Sequence, residues 1–195
     1  MNQEKEPKVY IGLLHYPVYN KRMDVITTSV TNLDIHDIAR ISCTYNVKKY
    51  FVIHPLETQR KLIQDILDYW QKGYGAQYNE DRRAAFEGVA LIPGLEETKD
   101  AIREETGTAP IVVTTDARIY PNTVSYRELR RNLTDGKPYL ILFGTGWGIE
   151  KDTMLKCDYV LEPIYGPGQY NHLSVRSAVA IILDRLLGET WWSET

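Results

Sequence analysis

Tyr139-Leu140-Ile141-Leu142-Phe143 runs directly into Gly144-Thr145-Gly146-Trp147-Gly148-Ile149, a strand-length apolar run emptying into a turn that carries three glycines. Unbroken apolar residues suit a strand covered on both faces. Glycines at its end let the backbone turn sharply and let a ligand approach main-chain groups with no Cβ in the way. A second unit of the same kind follows, with Asp158-Tyr159-Val160-Leu161 leading into Glu162-Pro163-Ile164-Tyr165-Gly166-Pro167-Gly168. The chain then passes through Asn171-His172-Leu173-Ser174 into an Ala- and Ile-rich stretch that predicts a final helix over Leu173 to Leu187. Either turn alone also reads as a plain connection. Side by side they predict a pocket for a small, flat, polar molecule. Gly144-x-Gly146-x-Gly148 lacks the G-x-G-x-x-G spacing of a dinucleotide loop, and no Gly-Lys-Ser/Thr phosphate loop occurs.

Working outward, strands and helices alternate. Val9 to Leu14 reads as a strand, Leu33 to Tyr45 as a helix, Tyr50 to Ile53 as a strand, and Glu57 to Lys72 as an amphipathic helix with Leu62, Ile63, Ile66, Leu67 and Trp70 on one side. Gly73 to Arg83 reads as a loop and Phe86 to Ile92 as a strand. A helix runs from Pro93-Gly94 to Thr106 and stops at Gly107. Ile111-Val112-Val113 is a strand breaking at Thr114-Thr115-Asp116, Ser125 to Asn132 is helical, Pro138 to Phe143 is the next strand, and Val160-Leu161 is the last. The expected fold class is α/β, a mostly parallel sheet flanked by helices on both faces. Ligands of such sheets collect outside the C-terminal strand ends, where Thr114, Gly144 and Ile164 fall.

With 195 residues, 43% of them apolar, and no Pro/Ser/Gly linker, the chain reads as one domain over 1–195. Cys43 and Cys157 lack C-x-x-C spacing and read as reduced, semi-buried residues; no metal site is expected. The charged start from Met1 to Lys8 is unlike a signal peptide, and no run approaches the roughly 18 apolar residues of a membrane span. A cytoplasmic protein with no membrane partner is expected. A net charge of -3 leaves only local basic patches, at Lys21-Arg22, Lys48-Lys49, Arg82-Arg83 and Arg127 with Arg130-Arg131. Tyr74, Tyr78, Arg82 and Arg83 are types that stack on single-stranded bases and neutralise phosphates, so Gly73 to Arg83 is either an RNA contact or a plain surface loop.

The Gly144 to Ile149 turn, the Pro163-Ile164-Tyr165-Gly166 loop and the Asn171-His172-Leu173-Ser174-Val175 helix entry resemble the S-adenosylmethionine (SAM) motifs of the SPOUT, or α/β-knot, RNA methyltransferases. Asn32 to Arg40, followed by the strand ending at Ile53, is similar to the first motif of the ribose-methylating branch. The resemblance covers roughly Val9 to Leu187. It implies a C-terminal deep trefoil knot from about Thr114 onward, SAM as cofactor, an RNA substrate (tRNA or rRNA) methylated at a ribose 2′-hydroxyl, and a homodimer faced by the knot region. Trp191 and Trp192, large aromatics after the final helix, independently read as part of such a contact.

Carried over by position, the resemblance makes Thr114, Thr115, Phe143, Gly144, Thr145, Gly146, Gly148, Ile149, Leu161, Ile164, Tyr165, Gly166, Leu173 and Ser174 the cofactor residues. Arg40, Asn32 and Ser174 become the catalytic set. Arg40 would position phosphate and hydroxyl electrostatically, since a guanidinium stays protonated. Leu161, Ile164 and Leu173 suit core packing equally, and Asn32 suits a helix N-cap. Two departures affect the acceptor side. No acid stands where the family's second motif carries Gly-x-Glu, and Asn171-His172-Leu173-Ser174 replaces Ser-Leu-Asn. Asn171, His172 and His36 are further acceptor-side candidates. Rival readings are a base-nitrogen methyltransferase of the same fold, a non-catalytic SAM- or nucleotide-binding regulator, and a flavodoxin-like domain for another ligand.

Overall fold

A computed structural model describes residues 6–168 and 170–189. Strand β1 (Lys8–Leu14) leads to a short antiparallel hairpin of β2 (Val18–Tyr19) and β3 (Val25–Ile26), then to helix α1 (Asn32–Thr44) and β4 (Lys49–Ile53). Helices α2 (Glu57–Gln71), α3 (Tyr74–Tyr78) and α4 (Glu80–Glu87) precede β5 (Val89–Ile92) and α5 (Leu95–Thr106). Then come β6 (Ile111–Thr115), β7 (Thr123–Val124), α6 (Tyr126–Asn132), β8 (Pro138–Gly144), α7 (Lys151–Leu155), β9 (Tyr159–Leu161) and α8 (Val175–Leu187).

Seven strands form one sheet in the order β5-β4-β1-β8-β6-β9-β7, and every pairing is parallel. β1 lies against β8 along its whole length, from Lys8 opposite Pro138 to Leu14 opposite Gly144. Alternation splits the core. Val9, Ile11, Leu13, Ile141 and Phe143 pack with Ile35, Ile38, Ile63, Phe86, Val179 and Leu183 of the helices on one face. Tyr10, Leu14, Phe51, Leu140 and Leu142 pack with Ile102 of α5 and Met154 of α7 on the other. Both faces are therefore dry, which is why the strands read as unbroken apolar runs. Among the described residues, no helix is long and apolar enough to cross a membrane.

The expected loop at Gly73 to Arg83 is largely helical. Asn79 accepts from the Arg82 N–H to start α4, and buried Ala76, Ala85 and Phe86 hold α3 and α4 against α1 and α2, so packing overrides the Gly-Tyr-Gly signal. Phe86 is thereby helical, and the strand expected from Phe86 shortens to start at Val89. Cys43 is exposed rather than semi-buried, while Cys157 is buried and its thiol is pushed up to about 11 by that burial. Trp191 and Trp192 lie outside the described residues.

Candidate active site

All seven parallel strands end at one edge, and beyond β6, β8 and β9 opens a cleft of about 1020 Å³. Thr115, Phe143 and Gly144 enter it from strand ends, Thr145, Gly146, Trp147 and Gly148 from the glycine turn, and Ile164 from the loop after β9. The opposite wall is the segment Tyr170 to Val175 with Ala178 and Ile182 of α8. Thr28, Ser29, Thr31 and Asp34 close it from the loop before α1 and that helix's first turn.

The glycine turn is clamped by the hairpin. The Trp147 N–H donates to the Tyr19 carbonyl at 2.9 Å, the Tyr19 N–H to the Gly148 carbonyl at 2.9 Å, and the Glu150 N–H to the Pro17 carbonyl at 3.1 Å. Gly146 and Gly148 have φ of +60° and +100°, backbone that glycine adopts without strain, and a Cβ at Gly146 would stand 2.8 Å from the Tyr19 carbonyl oxygen. The Thr145 hydroxyl donates to the Leu14 carbonyl at 3.2 Å, so in the 2.5 Å contact between Thr28 and Thr145 hydroxyls the Thr28 hydroxyl is the donor. The far wall is tied in as well, by Asn171 Nδ2 donating to the Ala117 carbonyl at 2.9 Å across 54 positions.

Three carboxylates line the cleft, each already engaged. Asp34 takes the Thr31 hydroxyl at 2.6 Å and Arg176 Nε at 3.3 Å. Glu162 accepts the Tyr126 N–H at 2.6 Å. Asp116, only 5% exposed in its side chain, accepts the Arg118 N–H at 2.8 Å and Nε at 3.0 Å on one oxygen and Nη2 at 3.3 Å on the other. The Asp116 carboxylate holds the Arg118 guanidinium more firmly protonated than usual. Under the hairpin, His15 and His54 face each other at 5.2 Å, and burial with His54 as neighbour pushes His15 down to about 4.

Of the residues singled out in the sequence, the cleft brings together Thr115, Phe143, Gly144, Thr145, Gly146, Gly148, Ile164, Leu173 and Ser174, with Asn171 and His172. Thr114, Ile149 and Leu161 are buried in the sheet core, and Tyr165 and Gly166 are exposed outside the lining. Ser174 is also the N-cap of α8, its hydroxyl accepting the Ser177 N–H at 3.3 Å, so that helix starts at Val175 rather than Leu173. Asn32 is not a cap: the Thr31 side chain accepts from the Asp34 N–H, leaving Asn32 exposed as the first helical residue. Neither Asn32 nor Arg40, exposed on α1, lines the cleft of its own chain.

His36 is packed between Trp70 and Phe86 and bonded to Arg82 at 2.6 Å, which takes Arg82 out of the free basic patches. Lys48 and Lys49 are likewise held, by Glu6 and Glu105. Missed in the sequence were Asp116 and Arg118. Their only signal is an acid and an arginine two positions apart just past a buried strand.

The lining suits SAM. Small and apolar groups (Phe143, Gly144, Ile164, Ala178) offer a slot for a heteroaromatic ring, and three carboxylates against one guanidinium suit a ligand carrying sulfonium and ammonium charges. A cleft at the top of the usual range of roughly 300–1,000 Å³ also leaves room for one acceptor nucleotide.

Among curated proteins, the chain is 48% identical over 179 residues to an uncharacterized protein of Aquifex aeolicus, covering 91% of this chain and 87% of that one. It is 44% identical over 181 residues to a protein of Oleidesulfovibrio alaskensis named tRNA (guanine-N(1)-)-methyltransferase, covering 93% of this chain but only 42% of the relative. More than half of that larger protein thus lies outside the match. Among solved structures, the SpoU methyltransferase AviRb of Streptomyces viridochromogenes, in complex with the cofactor AdoMet, aligns with a TM-score of 0.55 at 16% identity, covering 95% of this chain and 60% of that one, and shares the fold. A family model described as SAM-dependent RNA methyltransferase matches residues 8–188. A match over nearly the whole chain, on a sheet that opens such a cleft at its carboxyl edge, makes this protein a member of the SAM-dependent RNA methyltransferases.

Proposed function

We propose that the chain methylates a ribose 2′-hydroxyl in tRNA or rRNA, with the cofactor held by the glycine turn after β8, Ile164 after β9 and the entry to α8. The observation that carries the ribose reading is the set of hydrogen-bonding groups at the cleft mouth, Ser174, Asn171 and His172. The cleft carboxylates Asp34, Asp116 and Glu162 are each bonded to a neighbour, so this reading gives the acceptor proton to His172. A 2′-hydroxyl needs hydrogen-bonding groups to align it as well as a base to take its proton, and this mouth offers both.

When bound, SAM supplies an electrophilic methyl group on its sulfonium. In this reading Thr115, Phe143, Gly144 and Ile164 enclose its adenosine, while Thr145, Gly146 and Gly148 present backbone groups of the clamped turn. Ser174 and Asn171 orient the acceptor hydroxyl, and the His172 imidazole receives its proton. The knot belongs to the same proposal: the bond from Asn171 to Ala117 and the packing of α8 on α1 and α6 support threading of the last segment against the loop after β6. So does a homodimer, because Arg40 lies outside its own cleft and could act only in the cleft of another copy. The larger relatives are named tRNA (guanine-N(1)-)-methyltransferase, which favours tRNA as substrate and makes guanine N1 the rival acceptor.

Transfer of a tritiated methyl from SAM to bulk unmodified RNA, followed by nuclease digestion and nucleoside mass spectrometry, tests the reading. A 2′-O-methylnucleoside is the expected product. N1-methylguanosine would replace the ribose acceptor with a base nitrogen, and SAM binding with no transfer to any RNA would leave a regulator.

A further inference from the structure

Resting on the reading that the acceptor is RNA, we propose that Arg118 grips the phosphate beside the acceptor nucleotide and that Trp147, on the same rim, carries the nucleotide's base. Among the described residues that line the cleft, Arg118 is the only arginine or lysine. Its side chain is 58% exposed, whereas its partner Asp116 is almost fully buried. Asp116 takes Nε and one side of Nη2, which fixes the plane of the guanidinium and leaves Nη1 and the other Nη2 hydrogen for a second anion. Asp116 is thus a positioning residue. The choice of phosphate over the carboxylate of SAM follows from where charge sits. The carboxylates Asp34 and Asp116 are buried in the lining, while Arg118, the cation among the described lining residues, is exposed at its mouth. A polyanion arriving from solvent therefore meets the guanidinium before the carboxylates.

Trp147 adjoins this grip. Asp116 lies beside Gly148, and Tyr19, a neighbour of Arg118, accepts the Trp147 N–H. The indole lines the cleft yet is 56% exposed, flanked by the two left-handed glycines that set its place on the turn. A tryptophan so placed gains little from burial in the free protein and gives a flat platform for an unstacked base.

The test uses the full chain, SAM by calorimetry, and tRNA by filter binding at several KCl concentrations. Arg118→Ala should weaken tRNA binding at least tenfold and flatten the log-affinity against log-salt slope by about 1, with SAM affinity within twofold of wild type. Arg118→Lys should keep the slope but recover little transfer, because one ammonium cannot serve both Asp116 and a phosphate in a fork. Trp147→Ala should weaken tRNA binding by roughly 5- to 150-fold at unchanged salt slope, and Trp147→Phe should restore most of it. A parallel loss of SAM and tRNA affinity in Arg118→Ala would assign the guanidinium to the cofactor and overturn the grip. Unchanged tRNA affinity in both alanine variants would overturn it too. If wild-type protein binds SAM but no RNA, the RNA reading itself falls, whatever the variants do.

Discussion

Gly146→Ala tests how the cofactor wall is built. At φ +60° an alanine costs about 1–2 kcal/mol relative to glycine. The new Cβ would also sit 2.8 Å from the backbone oxygen of Tyr19, closer than carbon and oxygen tolerate, so the hairpin has to lift. Lifting it stretches the two 2.9 Å bonds between Tyr19 and the turn, each contributing about 0.5–1.5 kcal/mol. Together these terms place roughly 2–5 kcal/mol against the observed turn. Since each 1.4 kcal/mol is tenfold in affinity, SAM binding by calorimetry should fall at least about tenfold. The hairpin can detach without unfolding the sheet, so circular dichroism should stay near wild type. Gly166→Ala is the control: no atom stands within 4 Å of its added Cβ, and the change should stay within about 0.5 kcal/mol. Gly146→Ala with wild-type SAM affinity would refute the claim that the clamped turn forms the cofactor wall.

Three further outcomes are expected. Light scattering at micromolar concentration should give about twice the 22.5 kDa chain mass, and Arg40→Ala should lose most methyl transfer at unchanged SAM affinity; a fully active monomer would remove the shared site. His15 has its folded pKa lowered to about 4 from 6.5, so its stabilisation is complete above pH 6.5 and is lost as pH falls toward 4. That is about 2 kcal/mol between pH 7 and 5, readable as a shallower acid limb of the melting curve in His15→Gln. Ser174→Ala should lower stability by about 1 kcal/mol through loss of the α8 cap, and a fall in transfer much larger than that, at full SAM occupancy, would show a second role at the acceptor.

The sheet was legible because a strand buried on both faces leaves an unmistakable apolar run, as at Tyr139 to Phe143, and the turn after it because glycine marks special backbone. What sequence could not resolve was register at the strand end. Thr114 and Thr115 both match the motif, yet alternation turns Thr114 into the core and gives only Thr115 to the cleft. Ile149 was lost in the same way, since its bridge to Val18 draws it inward. The α3–α4 region failed for another reason: its helices are held by tertiary contacts to α1 and α2, and local propensity carries no trace of those. The Asp116 and Arg118 pair was invisible because a turn has no periodicity to betray which side chains meet.

The pairing of β1 with β8 also bears on synthesis of the chain. The strand at residues 8–14 finds its neighbour only at residues 138–144, about 130 positions later. At ribosomal speeds of roughly 5–20 residues per second, the apolar amino-terminal strand waits on the order of ten seconds for that partner. During this interval it can pair with β4 on one side only, while its other edge stays open to foreign strands. Early occupancy of that edge by a chaperone, or a deliberately slowed translation before residue 138, should then decide the yield of native protein more than the stability of the finished sheet does.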